Sequence, residues 1–365
     1  MAGALIACGS AKPAARRPAA NGSPLLSRGV PAFASSEIYP ARDANDADYG
    51  TVWRGAIPGW IAYDLSRVSP ARRSRVLVAW FNDGITSPYD HTISAEPAYN
   101  SLRDYTLEAN KARGGSVPTA GWVPLVRVRG NTLHSRQHLV SLKGYNWVRL
   151  DVTAGDGSPE NEDAALNLDV YSAPRGAPGS WLFLGDSITM DGTQHRPVGG
   201  VPNFSQLIAA ARPRLYPGYE DGGIGSLLSA DGARNVKTWL RTFPGRYVGL
   251  SYGTNDANAC VPTSTFGRNY VTMVRAVIAA HKVPVVPTIP WARADGVRRC
   301  APRLNARIQQ LYRSYRQIVR GPDLWTYFKT HPSLIGEDGL HPSEAGYGAF
   351  RREWAKAMLA RVYRK

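Results

Sequence analysis

Three cysteines in 365 residues are too few for a disulfide-dense scaffold, and no apolar run of about 18 residues is present to cross a membrane as a helix. Charged residues make up only 20% of the chain against 43% hydrophobic, which excludes extensive disorder. At roughly 100–200 residues per domain, the length predicts about two globular domains. Lysine is scarce as well: it supplies eight of the 44 basic residues, so 36 arginines carry most of the formal net charge of +16. A surface of that charge attracts nucleic acid, anionic lipid or acidic polysaccharide. The arginines are scattered singly and in pairs such as Arg72-Arg73 and Arg298-Arg299, without a Lys/Arg stripe or an aromatic-basic pattern, so no nucleic-acid partner is expected. No Cys-x-x-Cys pair is present, and His91, His134, His138, His195, His281 and His331 are read as surface or structural residues. Neither a metal nor a cofactor is therefore expected.

The cysteines fall into two contexts. Leu5-Ile6-Ala7-Cys8 resembles a bacterial lipobox, in which cleavage leaves a lipidated cysteine at the new N-terminus. No basic segment or full apolar segment precedes it, so either translation starts further upstream or the match is accidental. The expectation is an extracytoplasmic protein, secreted or lipid-anchored, that touches a membrane only through Cys8. Residues 1–35, rich in Ala, Pro, Arg, Gly and Ser, read as a signal remnant followed by a flexible tether.

Residues 36–172 alternate with a period of two. Val76, Val78 and Trp80 interleave with Leu77 and Ala79, and Val148, Leu150 and Val152 with Arg149 and Asp151. Short strands between Gly, Pro, Asn and Asp turns predict an all-β sandwich. Thr51-Val52-Trp53-Arg54, Trp60-Ile61-Ala62-Tyr63 and Tyr145-Asn146-Trp147-Val148 give it a loose resemblance to galactose-binding-like jelly rolls. Residues 173–180 are a Pro/Gly-rich linker. From 181 to 365, apolar strands (Trp181–Leu184, Tyr247–Ser251, Val283–Ile289) alternate with helix-period stripes, including Phe266, Tyr270, Val274 and Val277. That alternation predicts an α/β domain with a mostly parallel sheet covered by helices on both faces.

Ligands of such sheets bind beyond the carboxyl ends of the strands, and three polar blocks fall there. Gly185-Asp186-Ser187-Ile188-Thr189 follows the first strand, and its glycine allows a sharp turn that presents a serine hydroxyl. Gly253-Thr254-Asn255-Asp256 follows the second and offers an amide donor. Asp338-Gly339-Leu340-His341-Pro342 lies near the C-terminus, with Pro342 favouring an extended His341 and Ser343 placed to cap the last helix. A serine hydroxyl is unreactive unless a base takes its proton, and a carboxylate three residues before the histidine can fix the imidazole tautomer.

These blocks, GDSIT, GTND and DGLHP in that order and spacing, make the region from Trp181 to Arg361 resemble the SGNH hydrolases, also called GDSL esterases. The resemblance implies a flavodoxin-like three-layer α/β/α fold and acyl transfer through a serine intermediate. It makes Ser187 the nucleophile, His341 the base and then acid, and Asp338 the orienting carboxylate. The Ser187 amide and the Asn255 side chain become oxyanion-hole donors, with Asp186 and Asp256 structural beside the site. The family block Asn-x-Gly-x-x-Gly appears here as Asp221-Gly222-Gly223-Ile224-Gly225-Ser226, so the third donor is the amide of Gly225 or of Ser226.

Cys260 and Cys300, both assigned to loops at the same sheet edge, either form a disulfide or remain free thiols. A sandwich before an SGNH domain resembles two-domain carbohydrate esterases that remove acetyl groups. The expected substrate is therefore an acylated carbohydrate or another small ester. Lipase-like, thioesterase-like or O-acetyltransferase chemistry stays open, as does a non-catalytic glycan-binding role. Trp53, Trp60, Trp80, Trp122 and Trp147 either stack on sugar or fill the sandwich core, and Trp291 lines a pocket or packs.

Overall fold

The computed structural model describes residues 24–82, 102–155, 163–176 and 179–364. Cys8 and His91 lie outside them. Among the described residues, nine strands form the N-terminal part: β1 (Ala32–Ala34), β2 (Trp53–Ala56), β3 (Gly59–Asp64), β4 (Arg75–Phe81), β5 (Asp104–Asn110), β6 (Val123–Val128), β7 (Ser135–Ser141), β8 (Trp147–Ala154) and β9 (Asp163–Ser172), with a short helix α1 (Pro70–Arg73) before β4. They make two antiparallel sheets, ordered β1-β3-β8-β5-β6 and β2-β9-β4-β7. Ile61 and Tyr63 of one sheet and Val76, Val78 and Trp80 of the other share one apolar core, as alternation requires.

The two-residue period hides a second contact. Every residue of β4 from Val76 to Phe81 is buried, because Leu77, Ala79 and Phe81 pack outward with Tyr49, Tyr171 and the half-buried Tyr216. That outward face meets the C-terminal half of the chain. Phe81 and Tyr219 stack on opposite sides of His195, with ring centroids 3.5 and 3.8 Å away. The Gln137 amide donates to Glu220 at 2.9 Å, and its side-chain nitrogen donates to the Trp181 carbonyl at 3.1 Å. The expected tether also ends earlier than residue 35: Leu26 and Ser27 are buried, and β1 pairs with β3. The cause is the Ser27 amide bonded to the Val170 carbonyl and the Ser27 hydroxyl donating to Asp169, which dock this segment on β9.

The second part holds the parallel strands β10 (Trp181–Gly185), β11 (Tyr219–Gly223), β12 (Tyr247–Ser251), β13 (Val283–Val286) and β14 (Val319–Arg320). Its helices are α2 (Ser187–Thr193), α3 (Phe204–Ala211), α4 (Ser229–Thr242), α5 (Thr254–Asn258), α6 (Thr263–Ala279), α7 (Asp295–Ser314), α8 (Leu324–Thr330) and α9 (Glu344–Arg361). The sheet order β11-β10-β12-β13-β14 is the flavodoxin-like one, with its switch point between β10 and β12. Leu182 and Leu184 face a core built with α4, α6 and α7, while Trp181 and Phe183 face α3 and α9. Helices thus cover both faces of the sheet, giving the three-layer α/β/α arrangement.

Candidate active site

Ser187 owes its position to the turn between β10 and α2. A side chain at Gly185 would put its Cβ 2.0 Å from Thr189 Oγ1 and 2.8 Å from the Ser251 carbonyl, so glycine alone lets the strand pass into the helix this tightly. Asp186 caps α2 by accepting the Ile188 amide at 3.1 Å, and its other oxygen accepts the Thr254 amide at 3.3 Å. One buried carboxyl therefore joins the start of α2 to the start of α5, bringing Ser187 and Asn255 to the same rim. Burial raises the Asp186 carboxyl to about 7, against the opposing effect of those two amide bonds.

The base comes from the loop before α9. Asp338 Oδ1 accepts the amides of Leu340 at 2.9 Å and His341 at 3.0 Å, closing the turn on itself. Its Oδ2 lies 2.5 Å from His341 Nδ1, and His341 Nε2 lies 2.8 Å from Ser187 Oγ. With Nδ1–H donating to the carboxylate, Nε2 is left to accept the serine proton. Some burial works against the Asp338 charge, but bonds from the imidazole and the two amides outweigh it and hold the carboxyl below its ordinary range. The loop is pinned on three sides. The Gly336 amide donates to the His341 carbonyl at 2.7 Å, Ser343 caps α9 through the Gly346 amide, and the Ala294 amide donates to the Gly339 carbonyl at 2.8 Å. The Arg293 guanidinium adds bonds to the carbonyls of Pro332, Ile335 and Gly336. Nothing in the sequence pattern singled out Arg293, because its partners are backbone atoms some 40 residues away.

The donor side is built by β11, α4 and α5. Neither β11 nor α4 was visible as an apolar pattern, since Tyr219-Glu220-Asp221-Gly222-Gly223 is a fully buried strand with two acids. Gly223 packs so closely on α2 that a Cβ would lie 2.2 Å from the Met190 nitrogen. Asp256 accepts the Ser229 amide at 2.8 Å and its hydroxyl at 2.6 Å, tying α5 to the first residue of α4. Asn255 Nδ2 donates to the Leu227 carbonyl at 3.0 Å, which orients the amide and uses one of its two hydrogens. Between these anchors Gly225 is buried and Ser226 is exposed, with Ser226 at φ 64°. A side-chain-bearing residue in that left-handed region costs about 1–2 kcal/mol, so the backbone keeps a glycine-like bend under a serine.

Cys260, just beyond α5, is joined by a disulfide to Cys300. Cys300 does not lie in a loop: it is inside α7, because the helical stripe begins at Val297 and continues through Ala301, Leu304 and Ile308. Trp53, Trp80 and Trp147 are fully buried in the sandwich, while Trp60 and Trp122 are half-buried and flank the Arg149 guanidinium at 5.7 and 4.2 Å. Trp291 is half-buried against the α9-side core. His134 and His138 stand four residues apart, but His138 bonds the Tyr105 hydroxyl while His134 faces the Trp239 ring. Among the described residues no group of three His, Cys, Asp or Glu is placed to hold a metal ion.

The arrangement supplies a hydroxyl, a base, an orienting carboxylate and amide donors on one rim of the switch point. Residues 183–349 match the family described as GDSL-like Lipase/Acylhydrolase. No curated protein matches the chain. Among solved structures, a lipase/acylhydrolase from Enterococcus faecalis is 19% identical with a TM-score of 0.40, covering 51% of this chain and 98% of its own. A variant of an acetyl xylan esterase from Geobacillus stearothermophilus is 21% identical with a TM-score of 0.42, covering 52% of this chain and 99% of its own. A chitosan-binding module from a Paenibacillus chitosanase/glucanase is 18% identical with a TM-score of 0.28, covering 41% of this chain and 98% of its own. The chain therefore carries a GDSL-like lipase/acylhydrolase domain over residues 183–349, which places it among the carboxylic ester hydrolases.

Proposed function

We propose that the chain is a serine esterase that removes short acyl groups, acetyl foremost, from carbohydrate. The observation that carries this reading is the unbroken relay from Ser187 Oγ to His341 Nε2 at 2.8 Å and from His341 Nδ1 to Asp338 at 2.5 Å. Ser187 Oγ attacks the acyl carbonyl as His341 Nε2 takes its proton. The oxygen that gains charge is met by the Ser187 amide, the free hydrogen of the Asn255 amide and the backbone N–H of Gly225 or Ser226. His341 then returns the proton to the departing sugar hydroxyl. Water repeats the sequence on the acyl-serine and releases the acid. Each oxyanion donor of this type is worth about 10²–10³ in turnover.

The sandwich supports a carbohydrate substrate by presenting two half-buried tryptophans, Trp60 and Trp122, on its outer sheet. The disulfide between Cys260 and Cys300 supports export to an oxidising compartment. Native material with an unprocessed Met1 and reduced Cys260 by mass spectrometry would remove that part of the reading.

Hydrolysis of p-nitrophenyl acetate, butyrate and octanoate by the wild type and Ser187→Ala tests the activity. The reading requires a Ser187-dependent rate that falls steeply beyond acetate. A rate that rises with chain length moves the protein to the lipase-like class. No turnover, together with no labelling by a serine-directed phosphonate, makes it a glycan binder.

A further inference from the structure

A groove on the helical layer formed by α6 and α7 has no part in the chemistry above. Its walls are two stripes at helical spacing: Ser264, Gly267, Val271 and Arg275 on α6, and Arg303, Arg307, Gln310 and Ser314 on α7. Two adjoining hollows of about 410 and 280 Å³ share Arg307 and Gln310 and so form one channel. From Arg303 to Ser314 it runs about 16 Å at 1.5 Å per residue.

Its electrostatics are one-sided. Arg275, Arg303, Arg307 and Arg313 line it with no acidic residue, and among the described residues none of the four is ion-paired. Helix α6 contains no Asp or Glu, and the single acid of α7, Asp295, is taken by Arg298 and Arg299. Arg307 is set into the channel: a Cβ on Gly267 would lie 2.3 Å from its Nε, so the absent side chain makes room for it. Its Nη1 donates to Gln310 at 2.5 Å, whereas its buried Nε has no partner among the described residues. With Nε packed against Gly267, the terminal nitrogens of Arg307 and the exposed Arg275, Arg303 and Arg313 are the donors that the groove offers an anion.

We infer that this groove binds an acidic polysaccharide, a chain of carboxylate-bearing sugars. Planar carboxylates match the guanidinium fork, and the hydroxyls of Thr263, Ser264 and Ser314 with the Gln310 amide suit sugar hydroxyls. Tyr315 is the sole aromatic among the lining residues, and one half-buried ring gives no row of aromatics on which successive nucleic-acid bases stack. Large exposed apolar residues among those described are Ile38, Tyr39 and Val123, all on the sandwich side, so no apolar face on α6 or α7 serves a lipid surface. The upper end lies one helical turn from Cys300, whose disulfide partner Cys260 follows the Asn255 helix. Resting on the esterase reading, the groove would hold an acylated acidic glycan so that its esters reach Ser187.

Native electrophoresis of the full chain through gels with polygalacturonate or neutral xylan tests this. One variant carries Arg303→Gln, Arg307→Gln and Arg313→Gln; a control with equal charge loss carries Arg214→Gln, Arg241→Gln and Arg352→Gln. The inference requires salt-sensitive retardation by polygalacturonate alone, weakened at least about tenfold in the groove variant and kept in the control. Equal weakening in both variants, no weakening, or tighter binding to single-stranded DNA or anionic vesicles overturns it. Turnover of p-nitrophenyl acetate should be unchanged in the groove variant, and Ser187→Ala should be retarded like the wild type. A wild type that is retarded but does not hydrolyse p-nitrophenyl acetate counts against the esterase reading alone.

Discussion

Replacing Asp338 by asparagine separates the two tasks that its carboxylate performs. Oδ1 holds the turn through the Leu340 and His341 amides, and an asparagine carbonyl accepts the same bonds, so the loop should keep its shape. The introduced amide hydrogens would face His341 Nδ1, where Oδ2 now accepts at 2.5 Å. The neutral imidazole must then carry its proton on Nε2 and can no longer accept one from Ser187. Loss of the ion pair adds to this. Opposite charges about 4 Å apart attract by about 1 kcal/mol in water and about 4 kcal/mol at an effective dielectric of 20. With side chains 36% and 49% exposed, the lower part of that interval applies. That is about 10–100-fold in rate, and the wrong tautomer, which costs about 10⁴ in a buried triad, brings the expected fall in kcat to about 10²–10³. KM for p-nitrophenyl acetate and the thermal midpoint should barely change. A loss below about fivefold at unchanged stability would refute the reasoning and reduce Asp338 to a turn cap. Asp338→Ala, which also removes the Oδ1 bonds, should lower both activity and the thermal midpoint.

Asn255→Ala should lower kcat by about 10²–10³ with KM nearly constant, because the proposed function has its amide act on the charged intermediate; a change confined to KM would place Asn255 in substrate binding instead. Ser226→Gly should raise stability by about 1 kcal/mol in chemical denaturation, because glycine takes φ 64° without strain, and should leave kcat intact if only the backbone N–H is used. Burial pushes the Glu220 carboxyl to about 8, against the pull of Arg136 and the Gln137 amide. Because the folded state then binds the extra proton, stability should fall as pH rises from about 4.5 through about 8 and level off above. Glu220→Gln keeps the acceptor for the Gln137 amide, so its thermal midpoint should lose most of that slope; an unchanged slope would acquit Glu220.

The residues of the relay were legible in the sequence because their chemistry is local. Gly185, Asp186 and Ser187 form one strand-to-helix turn and Asp338 reaches His341 across three residues, whereas the pairing of Ser187 with His341 across 154 residues was implied by the family resemblance. The strands Trp181–Gly185 and Tyr247–Ser251 were legible for a similar reason, since burial on both faces leaves an unbroken apolar run. Strand β11 was not, because Glu220 and Asp221 are buried by partners that only the folded chain supplies, such as the Gln137 amide from the sandwich. Strand β4 is an unbroken apolar run from Val76 to Phe81, so its two buried faces were legible, but only the fold shows that Leu77 and Phe81 are covered by the other half of the protein.

The sequence by itself determined which side chains can carry an acyl transfer and the type of sheet that presents them, because hydrogen-bonding chemistry and hydrophobic periodicity are written residue by residue. Tertiary structure alone decided that Ser226 takes a glycine-like bend, that Arg293 staples the histidine loop, and that four arginines from two helices line one groove. Each of those depends on atoms brought together from distant positions, and no local pattern encodes a contact whose partner is chosen by the packing of the whole chain.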